Sequence, residues 1–493
     1  MSRRFRVIVL FVVLGMALAA CGARLDPQTR KQAADAVLNG GGVSTGTGTT
    51  ATGTGTTGTG TTGTGTTGTG TTGTGTTGTG TTGTGTTGTG TTGNNGTGTT
   101  GTSSSSSKCP TSGTDVGLTS NSVRLGTIAS TTGPVSGLFQ GALQGMQAYR
   151  AYINSQGGIC GHQVTVDFAD DGTNCGQNQN DTENLAKKDF ALVGSFSLFD
   201  GCGADYIKQH NIPDFHVQLD TRAVEPSSHF DVEPGQLGYA TGMFAYYAKM
   251  LGSKVKSVGT LYPNIPSAAA KQKAFVKAAE ANGWKFVYSQ AGDAQQTDWT
   301  NDFVTMCQQK HIQIFFTSAE NAANAAKMIH NEDQAGCSKD LINIIPIAYD
   351  QAFIQDVGSS DRLEGMLGWN EYSLFFNQDE AQRIPEVQLF QQWFTRANGN
   401  KPANLYAMFA WAEARLFQQA FENAGSTINR KTLIASAGKI NNYSANGLVG
   451  PVNPSSKTEG VHCYVLWKLH NNAFSRLDTP ATNYRCDGRF LAY

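Results

Sequence analysis

The stretch from Ser122 to Asp171 sets the tightest limit on what this chain can become. Ser122–Ala129 (SVRLGTIA) is short and rich in β-branched residues, and Thr131-Thr132-Gly133-Pro134 closes it as a breaker cluster. Apolar residues then recur at Ala142, Met146, Tyr149 and Ile153, steps of four, three and four that lay one face of a helix on a sheet. Gly157-Gly158 ends the helix, because glycine takes left-handed backbone angles without a steric penalty. Residues 163–169 alternate as a strand and run into Asp170-Asp171. That order is one βαβ unit, which needs a parallel sheet and a right-handed crossover.

The alternation continues. Helices are expected over 181–188, 204–210, 236–251, 268–282, 300–310, 321–333 and 403–424, and strands over 190–195, 212–217, 255–262, 285–289, 312–317 and 342–348. Residues 463–469 and 473–477 read as a hairpin around Asn471-Asn472. This length exceeds what one core usually holds, so two lobes are expected, with the first crossing between them at 236–251.

The N-terminal part does something else. Arg3, Arg4 and Arg6 precede an apolar run over 7–14, and Leu18-Ala19-Ala20-Cys21 follows. A basic start and a short apolar run mark an export signal, since a spanning helix needs about 20 apolar residues. The ending resembles a bacterial lipoprotein cleavage site, with Cys21 becoming the lipidated first residue; an ordinary signal peptide with an incidental Cys is the alternative. Residues 22–107 are read as a disordered tether, almost wholly Thr and Gly from 45 to 102, because such a segment has no apolar side chains to bury. Gly53-Thr54-Gly55-Thr56-Thr57-Gly58 fits GxGxxG, yet no strand precedes it and no helix follows, so a dinucleotide site is rejected.

A formal net charge of −1 leaves no basic field for nucleic acid. No HExxH or GxSxG occurs, and Asp170-Asp171, adjacent on a strand end, point to opposite faces and do not share a proton. No cofactor, metal or enzyme activity is expected; what remains is ligand capture by loops at the carboxyl ends of the strands. Those loops are 131–139, 195–200, 218–221, 262–267, 318–321 and Tyr349-Asp350.

Thr132-Gly133-Pro134, the run INSQGGICG over 153–161, and Asp170-Asp171 together resemble the opening of type I periplasmic solute-binding proteins of ABC importers, in the leucine/isoleucine/valine-binding branch. The likeness runs from about Ser122 to Leu477. It implies an α/β fold of two Rossmann-like lobes with parallel sheets joined by three hinge crossings, divided as 108–235 and 367–460 for the first lobe, 236–366 for the second, and a terminal hairpin, 461–493, crossing to the second. In such relatives, hydroxyls of the first lobe hold the α-carboxylate of an amino acid, a role that falls here to Ser197 and Thr221. A second-lobe acid holds the ammonium, matched by Asp350, with Glu320 near another contact position. Phe139 or Leu138 lies near the ligand side chain; Tyr262 and Ser267 stand near the place of the family's tyrosine. The chain departs from the pattern at Leu198-Phe199-Asp200, where relatives carry small hydroxyl residues, so the solute expected is a small polar one, an amino acid or related amide, not confined to branched-chain amino acids.

Cys21 aside, eight cysteines remain of the nine, an even number that in an exported protein reads as disulfides. Cys160 precedes and Cys175 follows a strand of about seven residues, over 20 Å long at ~3.3 Å each, so they are not partners. The pairs expected are Cys109–Cys160, both before adjacent strands; Cys175–Cys202, both after strands, where a relative also carries a bridge; Cys307–Cys337, before neighbouring strands; and Cys463–Cys486, flanking the hairpin. The function expected is a monomeric, membrane-anchored solute receptor that delivers to an ABC permease; a surface-anchored sensor or interaction module of the same fold is the alternative, which the long tether favours.

Overall fold

The computed structural model describes residues 109–492 apart from 135, 235–237, 294–295, 318–321, 338–340, 479 and 481–482, and leaves aside the side chains at 266, 267, 360 and 378. The export signal, Cys21 and the tether lie outside the described residues.

The first sheet holds β1 (Ser122–Ala129), β2 (Gln163–Asp170), β3 (Ala191–Val193), β4 (Asp214–Phe215) and β5 (His229–Phe230) in the order β2-β1-β3-β4-β5, all parallel. β1 and β2 stay in register from Ser122 opposite Gln163 to Ala129 opposite Asp170, so both strands end at one edge. Helix α1 (Gln140–Ser155) is the crossover between them, with Ala142, Met146, Tyr149 and Ile153 buried as their spacing requires. Helix α2 (Cys175–Ala186) starts six residues before the expected 181, because the Asn174 side chain caps it through Gln177 N–H; α3 (Ala204–His210) falls as expected.

β6 (Gly238–Ala240) occupies part of the expected helix 236–251, which shortens to α4 (Gly242–Leu251). There follow β7 (Val258–Pro263), α5 (Pro266–Glu280), β8 (Phe286–Gly292), α6 (Thr300–Val304), β9 (Ile314–Thr317), α7 (Ala322–Gln334), β10 (Ile342–Ile344), α8 (Gln351–Val357), α9 (Ser360–Leu363) and β11 (Leu367–Asn370). β10 stops short of the expected 348 because Pro346 cannot donate to a ladder and opens a 3-10 turn instead. The chain then lays α10 (Gln378–Arg383), α11 (Pro385–Asn398), α12 (Leu405–Glu422) and α13 (Arg430–Ala437), with α11 and α12 packed on α1. β12 (Val465–His470) and β13 (Ala473–Arg476) form the hairpin, turning at Asn471 and Asn472 with positive φ at both, and β14 (Phe490–Ala492) follows.

The second sheet has seven strands in the order β13-β12-β11-β10-β9-β7-β8, parallel from β7 to β11, with the hairpin antiparallel at its edge. β11 therefore belongs to the second lobe, and the return crossing comes after Asn370 rather than at the expected 366: its neighbour β12 holds Leu367–Asn370 in the ladder. Three segments join the sheets, between β5 and β6, after β11, and before β12; β14 pairs antiparallel with β6 on the first of them. The disulfides Cys109–Cys160, Cys175–Cys202, Cys307–Cys337 and Cys463–Cys486 all form. Among the described residues, no helix is long and apolar enough to cross a membrane.

Candidate functional site

A cavity of about 230 Å³ opens between the two sheets, and its walls come from both lobes and all three crossings. The first-lobe wall is aromatic. Phe139, just before α1, packs its ring 4.8 Å from Tyr406 and 5.5 Å from Phe196 at the end of β3. Tyr406 and Phe409 ride on α12, whose start is fixed by the Asn404 side chain accepting the Ala407 N–H at 3.1 Å. Leu198, Val217 and Leu219 fill the same side.

The second-lobe wall is built on β6, α5 and β11. Tyr239 and Phe275 lie 4.2 Å apart, and Trp369 stacks on Phe316 beneath them at 5.8 Å. Phe490 of β14 and Val461 close one end. Apolar lining of this extent is what encloses a small ligand's hydrocarbon body, since removing each Å² of apolar surface from water contributes about 25 cal/mol.

Three charged residues face this space: Glu233 on the first crossing, Glu371 just after β11, and Lys271 on α5. Glu371 accepts a hydrogen bond from the Tyr239 hydroxyl, which in turn accepts the Trp369 indole N–H at 2.9 Å. Burial first, then the neighbouring Glu233, pushes the Glu371 carboxyl well above the usual carboxylate range. Burial raises Glu233 as well, with Lys271 opposing and Asp231 adding to the effect. Among the described residues, no Lys, Arg or His comes within ion-pair distance of either carboxylate.

Of the residues expected from sequence to hold the ligand, Phe139 lines this cavity and the other described ones do not. Ser197 is almost wholly buried inside the first lobe, where its hydroxyl donates to Asp171 and accepts the Phe199 N–H at 2.9 Å. Thr221 is exposed and opens a 3-10 turn that the Asp220 side chain caps. Asp350 caps α8, accepting the Ala352 N–H at 2.8 Å. Tyr262 borders a separate, more open pocket of about 380 Å³ beside Gln272 and Glu280. Glu320 and the Ser267 side chain lie outside the described residues. The Asp200 carboxylate, at the place where the chain departs from the relatives' hydroxyl residues, accepts the Leu219 and Asp220 N–H groups at 2.6 and 2.9 Å. The adjacent carboxylates do diverge: Asp170 holds the 131–132 turn, whereas Asp171 gathers Ser130, Asn178 and Ser197.

Glu233 and Glu371 were not among the residues expected: each follows the end of a strand, β5 and β11, but on a segment that crosses to the other lobe rather than on one of the loops singled out. Nor was the buried cluster behind the first crossing. Asp214 takes His216 Nδ1 at 2.9 Å and His229 Nδ1 at 3.1 Å, and His216 Nε2 lies 3.4 Å from Asp200. Burial works to lower His216, but Asp214 and Asp200 outweigh it and hold the imidazole well above its ordinary value. The three residues Asp214, His216 and His229 are close enough for one metal ion. Asp214 already engages the Nδ1 atoms of both imidazoles, which suits a charged brace between β4 and β5. Asp231, four-square at the hinge, continues it by accepting the Gln218 N–H at 3.0 Å and the Glu233 N–H at 2.6 Å.

The profile of a family described as periplasmic binding protein matches residues 122–473. Among curated protein sequences, none matches. Among solved structures, a fatty acid ABC transporter substrate-binding protein from Thermomonospora curvata is similar with a TM-score of 0.61 at 16% identity, over 75% of this chain and 93% of its own. A solute binding protein of an ABC transporter from R. palustris, in complex with benzoate, gives 0.59 at 17% identity, over 76% and 98%. The branched-chain amino acid transporter substrate binding protein from Streptococcus pneumoniae, in complex with isoleucine, gives 0.56 at 16% identity, over 72% and 99%. At these identities the likeness is one of fold.

Proposed function

The chain belongs to the periplasmic binding protein family, and on that premise we propose that it is the extracytoplasmic solute receptor of an ABC importer, held to the membrane by lipid on Cys21 and delivering its ligand to a permease. The two lobes rotate about the three crossings, and a solute seated between them favours the closed form through the contacts it gains from the second wall. No covalent chemistry is assigned to the site. The observation that carries the reading is the aromatic cavity shared by both sheets and the hinge segments.

That lining also changes the solute. Of the residues that would grip a free amino acid, Ser197 and Asp350 are engaged within their own lobes and Thr221 stands exposed outside the cavity, so the ligand is a compact, largely apolar molecule rather than a small polar one. The neighbours in complex with isoleucine and with benzoate differ enough that fold alone does not choose between such solutes. A thermal-shift screen tests this. At a concentration of about 100 Kd, a ligand specific for the folded state adds about 2.7 kcal/mol, which raises Tm by several degrees. At least one aromatic or branched aliphatic solute is expected to do so; stabilisation by polar amino acids or sugars alone would overturn the assignment.

A further inference from the structure

Resting on that reading of the cavity, we propose that its ligand carries one positive charge on an apolar body: a primary or quaternary amine with an aromatic or branched aliphatic group. The argument is one of charge complementarity inside a low-dielectric space. Glu233 and Glu371 bring two carboxylates to the cavity, and Lys271, itself exposed on α5, brings one ammonium. Glu233 already feels Lys271, while Glu371 feels no cationic side chain, only the hydroxyl of Tyr239 and the like charge of Glu233. With both carboxylates ionised the cavity is one cation short of neutrality, a shortfall that a proton on Glu371 meets when no solute is bound and that a bound ammonium would meet in its place. Two carboxylates that face one dry space repel each other and are each costly to ionise, and a bound ammonium relieves both costs at once.

The walls fit the same ligand. Tyr239 and Trp369 stand beside Glu371, joined to it through the indole N–H and the phenol hydroxyl. Phe275 packs on Tyr239 at 4.2 Å, so a cation near Glu371 meets aromatic faces, whose quadrupoles attract positive charge. On the opposite wall Phe139, Leu198 and Phe409 offer apolar and aromatic surface to the remainder of the molecule. A carboxylate ligand, by contrast, would have to approach two acids with one exposed lysine in its favour.

The test uses three solutes of matched size: 2-phenylethylamine, 2-phenylethanol and 3-phenylpropionate, titrated calorimetrically into the full chain. The amine is expected to bind about 30-fold more tightly than the alcohol, the loss usual when a buried charged pair forfeits one partner. Glu371→Gln should collapse that preference to a few-fold while keeping the affinity for the alcohol. Glu233→Gln, which removes the other carboxylate from the cavity, should also lower the preference for the amine and serves if the Glu371 variant folds poorly. Tightest binding by 3-phenylpropionate, or an amine preference untouched by Glu371→Gln, overturns the cation and leaves solute capture standing. No binding by any of the three overturns capture of compact apolar solutes together with it.

Discussion

Asp350 sits at the start of α8, where it is half-buried and where its only described hydrogen bond is from the Ala352 N–H. Burial raises its carboxyl to about 6, with that hydrogen bond opposing and Asp356 adding to the rise. A carboxyl whose folded pKa lies above its unfolded value stabilises the fold only while protonated. The contribution is complete below about 3.9 and is lost as pH rises through about 6. Asn caps a helix as well as Asp does and does not titrate. Asp350→Asn is therefore expected to raise Tm by a degree or two at pH 8, on the order of 1 kcal/mol, and to leave it unchanged at pH 4. Differential scanning at the two pH values decides it; equal effects at both would remove burial of charge as the cause. Solute affinity should not change, since Asp350 does not line the cavity. The acid expected at the ligand was Asp350, whereas the acids that line the cavity are Glu233 and Glu371. The strand-end rule selects loops, and the acids that reach the cavity occupy the crossings, where no periodicity distinguishes a hinge from an ordinary connection.

At the scale of elements, α1 and α12 meet through small residues. A Cβ at Gly145 would land on the Ala407 carbonyl, and one at Gly141 on the Asn404 side chain that caps α12. The helices can approach this closely only because those positions carry no side chain. The contact matters to function because the residues that line the first-lobe wall, Tyr406 and Phe409, lie on the same turns of α12 as Ala407. Gly145→Ala should push the helices apart, at a cost of about 1–3 kcal/mol typical of overpacking, and weaken solute binding by displacing that wall. Chemical denaturation and calorimetry measure the two effects; a stable variant with intact binding would show that the helices have room to spare. The βαβ opening, the hairpin and the four disulfide pairs were readable because each follows from local periodicity or from which end of a strand a cysteine occupies. β5, β6 and β14 were not, being two or three residues long and defined only by distant partners. The helix α11 escaped as well, although Val387, Phe390 and Phe394 form a buried face at helical spacing.

For the molecule as a whole, two lobes followed from length, and the parallel sheets from alternation; the point of return between lobes did not, because β11 is held by β12, about 100 residues later. Anchoring belongs to this scale too. If Cys21 is lipidated, the mature protein partitions into the detergent phase, and Cys21→Ala should release it or leave it unprocessed. A variant that is processed and retained as before would remove the lipid from the account.

The pairing of β14 with β6 carries a kinetic consequence. Its partners lie about 250 residues apart in sequence, so the loop that must close before they meet is among the longest in the fold. Phe490 on β14 and Tyr239 on β6 are both walls of the cavity. Each sheet can assemble from nearer neighbours while the cavity is still open on that side. The wall that Phe490 supplies is complete only once this long-range pairing has formed. Ligand present during refolding would gain that wall's contacts only afterwards, as a latch on a step that the chain must first take unaided.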